Sequence, residues 1–171
     1  MKSEYVKYAG RLAAAILFFA LSANAQSTRS AAAPLEGTWR VQVTLHNCAD
    51  PSITFPPFWS LLSFQRGGTE SETTSNPALM PGQRTAGFGF WERTGVNTYF
   101  SATEAFILFD SPTNPPGLKK GVQKILQTIV MTDDNDWTAD ATVAFFNSNG
   151  TSSSGCATAQ GSRLTGSTDA P

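Results

Sequence analysis

Residues 37–46 read GTWRVQVTLH and show the clearest alternation of apolar and polar residues in the chain. One face of a strand would carry Trp39, Val41, Val43 and Leu45, and the other would carry Arg40, Gln42, Thr44 and His46. A period of two predicts a strand with one buried and one solvated face. Near the other end, residues 161–164 read GSRL, which places Arg163 on the last predicted strand. Trp39 and Arg163 would meet if the sheet closed on itself.

The rest of the chain is also typical of an all-β domain. After residue 34, β-branched, aromatic and glycine residues recur between turn signals, and no apolar run has helical spacing. Eight strands are predicted, over Gly37–His46, Phe58–Arg66, Thr69–Asn76, Thr85–Arg93, Asn97–Phe109, Gly121–Thr132, Trp137–Asn147 and Gly155–Leu164. Most connections are short, which predicts an up-and-down order. Three longer ones, 47–57, 77–84 and 111–120, contain proline and are expected at a barrel mouth.

The first 25 residues have the order of a secretory signal. Basic residues come first, an apolar run follows over residues 12–21, and small residues lead up to Ala25. An apolar run of about ten residues is about half of what spans a bilayer, so a cleaved signal is favoured over an anchor. We therefore expect cleavage after Ala25 and export to the periplasm or the extracellular space, without stable membrane insertion. The predicted organisation is a signal peptide at 1–25, a flexible leader at 26–35, a barrel at 36–165 and a tail at 166–171.

Charge and composition argue against several classes of partner. Removal of the signal leaves nine basic and twelve acidic residues, a net charge of −3. Proteins bind phosphate backbones through clustered Lys and Arg, which this chain lacks, so nucleic acid is not an expected partner. One histidine, His46, and two cysteines offer too few ligands for zinc. No metal site or cofactor is predicted, and the oligomeric state stays open.

The two cysteines provide a second sign that the sheet closes. An oxidising compartment favours a disulfide between Cys48 and Cys156 over two free thiols. In an antiparallel pair, the residue numbers of facing residues add to a constant. That total is 204 for the cysteines and 202 for Trp39 with Arg163. A difference of two corresponds to a diagonal neighbour or a bulge, so both pairs predict that the last strand lies beside the first.

The opening Gly37-Thr38-Trp39, the eight predicted strands and Arg163 resemble the lipocalin and calycin superfamily. In that superfamily the Trp closes the base of the barrel beneath an Arg from the final strand. The resemblance covers residues 36–165 and implies an eight-stranded antiparallel up-and-down β-barrel. Too few residues follow position 165 for the major C-terminal helix of lipocalins, and the connection 47–57 is too short for the two helices of fatty-acid-binding relatives. The chain looks most like divergent exported bacterial barrels, so no ligand identity is carried over.

Aromatic residues supply the candidate ligand site. Most of them are expected to fill the interior, as in other small barrels. Phe55, Phe58 and Trp59 lie in or beside the proline-rich first connection and are predicted to roof a pocket. Its predicted walls are Leu62, Phe64, Trp91, Tyr99 and Phe106, and the disulfide would anchor the roof. The sequence thus favours binding of a small apolar or amphipathic molecule.

Two other classes of function stay open. Glu70 and Glu72 share a strand face, and paired carboxylates can act as acid and base. Charged residues on the outer face of a strand look identical in sequence and are commoner, so no catalytic residue is assigned. An isomerase, cyclase or dehydratase would be marked by Glu70, Glu92 or Glu104 pointing inward with a raised pKa. The chain also resembles barrel inhibitors of metalloproteases, in which a leader enters the protease cleft; residues 27–30 would do so here.

Overall fold

The computed structural model describes residues 35–109 and 120–166, which form eight strands. The predicted signal peptide, the leader up to residue 34 and the tail from residue 167 lie outside the described residues, as do residues 110–119. All eight predicted strands are confirmed, and no end differs from its predicted position by more than three residues. They are β1 (Gly37–His46), β2 (Phe58–Gln65), β3 (Thr69–Thr74), β4 (Gly87–Arg93), β5 (Thr98–Ile107), β6 (Gly121–Met131), β7 (Asp136–Asn147) and β8 (Ser152–Arg163).

The sheet is a closed antiparallel barrel in which each strand pairs with the next along the chain. The predicted closure of β1 on β8 is confirmed, with Trp39 opposite Arg163 and His46 opposite Cys156. Closure leaves no unpaired strand edge, which removes a site of aggregation. The architecture is consistent with a calycin-like fold. The part of the chain that the structure describes contains no helix with the length and apolar character needed to cross a membrane.

The predicted disulfide is also confirmed. Cys48 and Cys156 are bonded, and their Cα atoms lie 5.1 Å apart. Cys48 follows β1 by two residues, in a connection that folds back so that Phe55 N donates to Leu45 O at 2.9 Å. The disulfide therefore fixes the 47–57 connection to the last strand. We call this end of the barrel, near Leu45, the mouth.

The opposite end of the barrel, which we call the base, is filled by the buried aromatic side chains of Trp39, Phe64, Trp91, Tyr99 and Trp137. The Trp39 and Trp137 rings pack edge to face, with centroids 6.1 Å apart. The Arg163 guanidinium lies 4.2 Å from the centroid of the Trp39 ring. Its Nη1 donates to Glu36 O at 2.7 Å. The predicted pairing of this Trp with this Arg thus closes the base, and a cation–π contact of this kind contributes about 0.5–2 kcal/mol.

Candidate functional site

A cavity of about 230 Å³ lies inside the barrel, between the base and the mouth. Sites for drug-sized ligands measure about 300–1,000 Å³, so this cavity suits a smaller molecule. Leu45 and Phe145 line it near the mouth, and Val41, Leu62 and Ala159 line it next to the base. The cavity exists because the aromatic side chains that fill the base give way to smaller residues above it.

The cavity has two chemically different walls. Below the mouth, where His46, Ser153 and Ser154 also line the cavity, strands β1, β7 and β8 form an apolar wall. Strands β2, β3, β5 and β6 form a wall with many polar groups. The apolar wall is lined by Val41, Val43, Leu45, Ala141, Val143, Phe145, Ala157 and Ala159. The polar groups of the other wall belong to Ser60, Glu72, Thr74, Thr103, Gln123 and Gln127. An amphipathic molecule would match this division.

The charged part of the polar wall comes from β3, whose sequence is TESETT. Alternation along this strand turns Glu70 and Glu72 inward, and both are buried. Small Ser and Thr residues occupy the outer positions, so β3 is polar on both faces. Because neither face is apolar, the sequence alone does not show which one faces the interior.

Glu72 is paired with Arg84, which comes from the segment just before β4. Arg84 Nη2 lies 2.5 Å from Glu72 Oε2, and the two side chains are 4% and 7% exposed. Arg84 Nε donates to Gln123 Oε1 across the cluster, and Ser60 Oγ donates to Glu72 Oε1 at 3.4 Å. A buried charge requires such partners, because the unpaired ion would be strongly destabilised in the interior.

Gly87 on β4 makes room for this ion pair. A Cβ at this position would come within 2.6 Å of Thr103 Cγ2 and 3.0 Å of Glu72 Oε2. Real Cβ atoms do not approach other atoms so closely, so a side chain here would displace the cluster. The glycine allows groups from β3, β5 and β6 to meet inside the barrel.

Glu70 lies deeper, behind the cavity surface, and is 2% exposed. The Thr103 hydroxyl donates to Glu70 Oε1, while Oε2 has no hydrogen-bond partner in the described part of the chain. Burial raises the pKa of Glu70 to about 7, and the negative charge of Glu72 adds to the rise, whereas the hydroxyls of Thr103 and Ser101 oppose it. Glu70 therefore changes its charge near neutral pH.

This pKa predicts that Glu70 makes the fold less stable as the pH rises. The native state keeps the Glu70 proton up to about pH 7. In the unfolded chain the same glutamate loses its proton near its ordinary pKa of 4.5. The protonated Glu70 therefore stabilises the fold by about 3 kcal/mol below pH 4.5, and this stabilisation is lost as the pH rises through 7. We expect Glu70→Gln to remove most of that decline, as measured by urea unfolding at pH 5 and pH 8.

The matched control for this experiment is Glu104→Gln. Glu104 is a glutamate on the outer face of β5, 58% exposed, with Lys124 Nζ at 3.2 Å. Its replacement should leave the difference in unfolding free energy between pH 5 and pH 8 close to that of the wild type. An equal decline in the Glu70→Gln variant and in the wild type would contradict the assignment.

The structure brings together only part of the predicted ligand site. Phe55, Phe58 and Leu62 line the cavity near the disulfide. Trp59 and Phe106 lie on the outer surface and are about half exposed. The remaining three predicted wall residues, Phe64, Trp91 and Tyr99, pack in the base below the cavity.

The alternation of side chains between the two faces of a strand explains these positions. Tyr99 and Phe106 both lie on β5 but are an odd number of residues apart, so they must face opposite sides. Thr103 lies four residues after Tyr99 and therefore points inward by the same alternation. The sequence analysis missed this residue. Gln123 and Gln127 were missed because β6 has apolar residues on both faces.

The other titratable candidates lie outside the cavity or at its edge. Glu92 and Glu104 are exposed on the outer surface. His46 lines the cavity at the mouth, and its Nδ1 lies 3.1 Å from Asn47 O. Within residues 35–109 and 120–166, no group of three or more His, Cys, Asp or Glu side chains could hold a metal ion.

Comparison with known proteins adds no family assignment. The sequence matches no protein-family model, and no curated protein matches it. Any conclusion about function therefore rests on the cavity and the side chains that line it.

Proposed function

We propose that the protein is an exported, lipocalin-like binding protein that holds a small amphipathic molecule inside its barrel. The observation that carries this proposal is the cavity of about 230 Å³ with an apolar wall on β1, β7 and β8 and a polar wall opposite. A ligand would bury its apolar part against Val43 and Val143 and hydrogen-bond with its polar part to the facing wall.

Two further observations support export. The disulfide between Cys48 and Cys156 is of the kind that persists in oxidising compartments. The first 25 residues have the composition of a cleaved secretory signal. Phe55 and Phe58, which line the cavity near the disulfide, would cover the bound molecule at the mouth.

Filling the cavity should abolish binding without unfolding the protein. In the Val143→Phe variant a benzyl group enters the cavity from the apolar wall, so a ligand would meet an overpacked site. Overpacking costs about 1–3 kcal/mol, and we expect the affinity for N-phenyl-1-naphthylamine to fall about tenfold or more. The measurement is the fluorescence of this apolar probe during titration with protein.

Thr142→Phe is the matched control, because Thr142 precedes Val143 on β7 and its side chain is exposed on the outer face. This variant should bind the probe as the wild type does. Absence of saturable binding by the wild type would refute the proposed function, and equal affinities of the two variants would place the probe outside the barrel.

An enzyme that uses acid–base chemistry is the second candidate function. It is favoured by Glu70, an inward carboxyl whose pKa is raised to about 7 by burial, close to the value that suits a general acid or base at neutral pH. Thr103 lies between Glu70 and the cavity and could pass a proton to or from a ligand. This interpretation would prevail if Glu70→Gln kept ligand affinity but abolished conversion of the ligand.

A further inference from the structure

The position of Thr103 indicates which part of a ligand the polar wall would recognise. Its side chain points inward from β5, is 1% exposed and lines the cavity. A threonine hydroxyl has one proton and two lone pairs. The proton is donated to Glu70 Oε1, so the lone pairs of Thr103 Oγ1 are what remains for a ligand.

Gln127 presents a second acceptor on the same wall. Its Nε2 donates to Ser101 Oγ at 3.2 Å, and its amide oxygen has no hydrogen bond among the residues described. Both Thr103 and Gln127 line the cavity, where the lone pairs of these two oxygens can accept a hydrogen bond from a ligand. A donor supplied by the ligand would satisfy them.

The groups that a ligand would contact on this wall suit a neutral donor. The carboxylate of Glu72 is already balanced by Arg84 at 2.5 Å. Glu70 is shielded from the cavity by Thr103, so an ammonium group could not reach it directly. Nearer the mouth, Gln123 Oε1 accepts a hydrogen bond from Arg84 Nε. The amide N–H groups of Gln123 could donate a hydrogen bond to an acceptor on the same ligand.

We propose that Thr103 and Gln127 form a subsite for the hydrogen-bond donor of the ligand, an O–H or N–H group attached to a small apolar body. This inference rests on the proposed binding function and narrows its ligand class to neutral molecules such as alcohols, phenols, amides or N–H heterocycles. Glu70 acts as a positioning residue, because it holds the Thr103 proton away from the cavity.

The test compares two probes of nearly equal shape, indole, which has an N–H donor, and benzothiophene, which lacks one. Each is titrated against the protein at pH 8, with displacement of N-phenyl-1-naphthylamine as the readout. Because bound benzothiophene would cover these acceptors without supplying a donor, we expect indole to bind the wild type about fivefold or more tightly than benzothiophene. Equal affinities of the two probes would overturn the subsite while leaving the binding function intact.

Variants then assign the preference to Thr103. Thr103→Val should lower the ratio of the two affinities, because only the Gln127 acceptor remains, and Thr103→Ser, which keeps the hydroxyl, should restore it. Thr142→Val on the outer face of β7 is the matched control and should keep the wild-type ratio. A preference for indole as large in Thr103→Val as in the wild type would overturn the assignment to Thr103. If the dye itself does not bind saturably, the binding function fails; if the dye binds but neither probe displaces it, the donor subsite is overturned.

Discussion

Replacing both Cys48 and Cys156 by serine will lower the free energy of unfolding by about 4–5 kcal/mol. The disulfide joins residues 108 positions apart, and cross-linking a loop of that length removes about this much chain entropy from the unfolded state. Such a loss is a large fraction of the total stability of a small domain, which is about 5–15 kcal/mol. Urea unfolding of the double variant and the wild type, followed by tryptophan fluorescence, measures the difference.

Reduction provides an independent check of the same quantity. Wild-type protein in excess dithiothreitol should unfold at the urea concentration found for the double serine variant, and that variant should not respond to dithiothreitol. A difference below about 1 kcal/mol between the double variant and the wild type would contradict the entropic account. The variant should also bind apolar probes less tightly, because the 47–57 connection that carries Phe55 would no longer be fixed to β8.

The fold could be predicted from the sequence because its two ends carry independent signals. The pairing of Trp39 with Arg163 and the pairing of the two cysteines both place β8 beside β1, in registers that agree to within two residues. Only a closed sheet allows both pairings. The alternation in β1 fixes which face is inside. Turn residues such as Gly67 and Gly68, both with positive φ, then mark the hairpins between the remaining strands.

The site could be predicted only in part, because a functional interior breaks the rule that buried residues are apolar. A strand such as β3, with Glu70 and Glu72 inside and Ser71 between them, has no hydrophobic face to set its orientation. Arg84 reaches the interior from a connection, and Gly87 contributes by having no side chain. These contacts join residues far apart in the sequence and depend on the barrel being formed.

The polar wall makes the interior sensitive to the loss of any one partner. Thr103 and Gln127 face the cavity and donate to Glu70 and Ser101, which do not line it, and Glu72 depends on Arg84. Buried polar groups stabilise a fold only when each has a partner. The polar wall would therefore be stabilised further by a ligand that supplies the missing donors, so ligand binding and stability should rise together.

Arg84→Met will destabilise the fold by about 3–5 kcal/mol, because it leaves the Glu72 carboxylate buried without its counter-charge. The double variant Glu72→Met, Arg84→Met should recover about 2 kcal/mol or more, since replacing a whole buried ion pair by apolar residues is often close to neutral. Lys124→Met is the control. It breaks the exposed pair with Glu104, where the Nζ to Oε1 distance is 3.2 Å, and should cost less than about 1 kcal/mol. Urea unfolding at pH 7 gives all three values. If Arg84→Met cost no more than Lys124→Met, or if the double variant were less stable than Arg84→Met, the role of Arg84 as the counter-charge of Glu72 would be wrong.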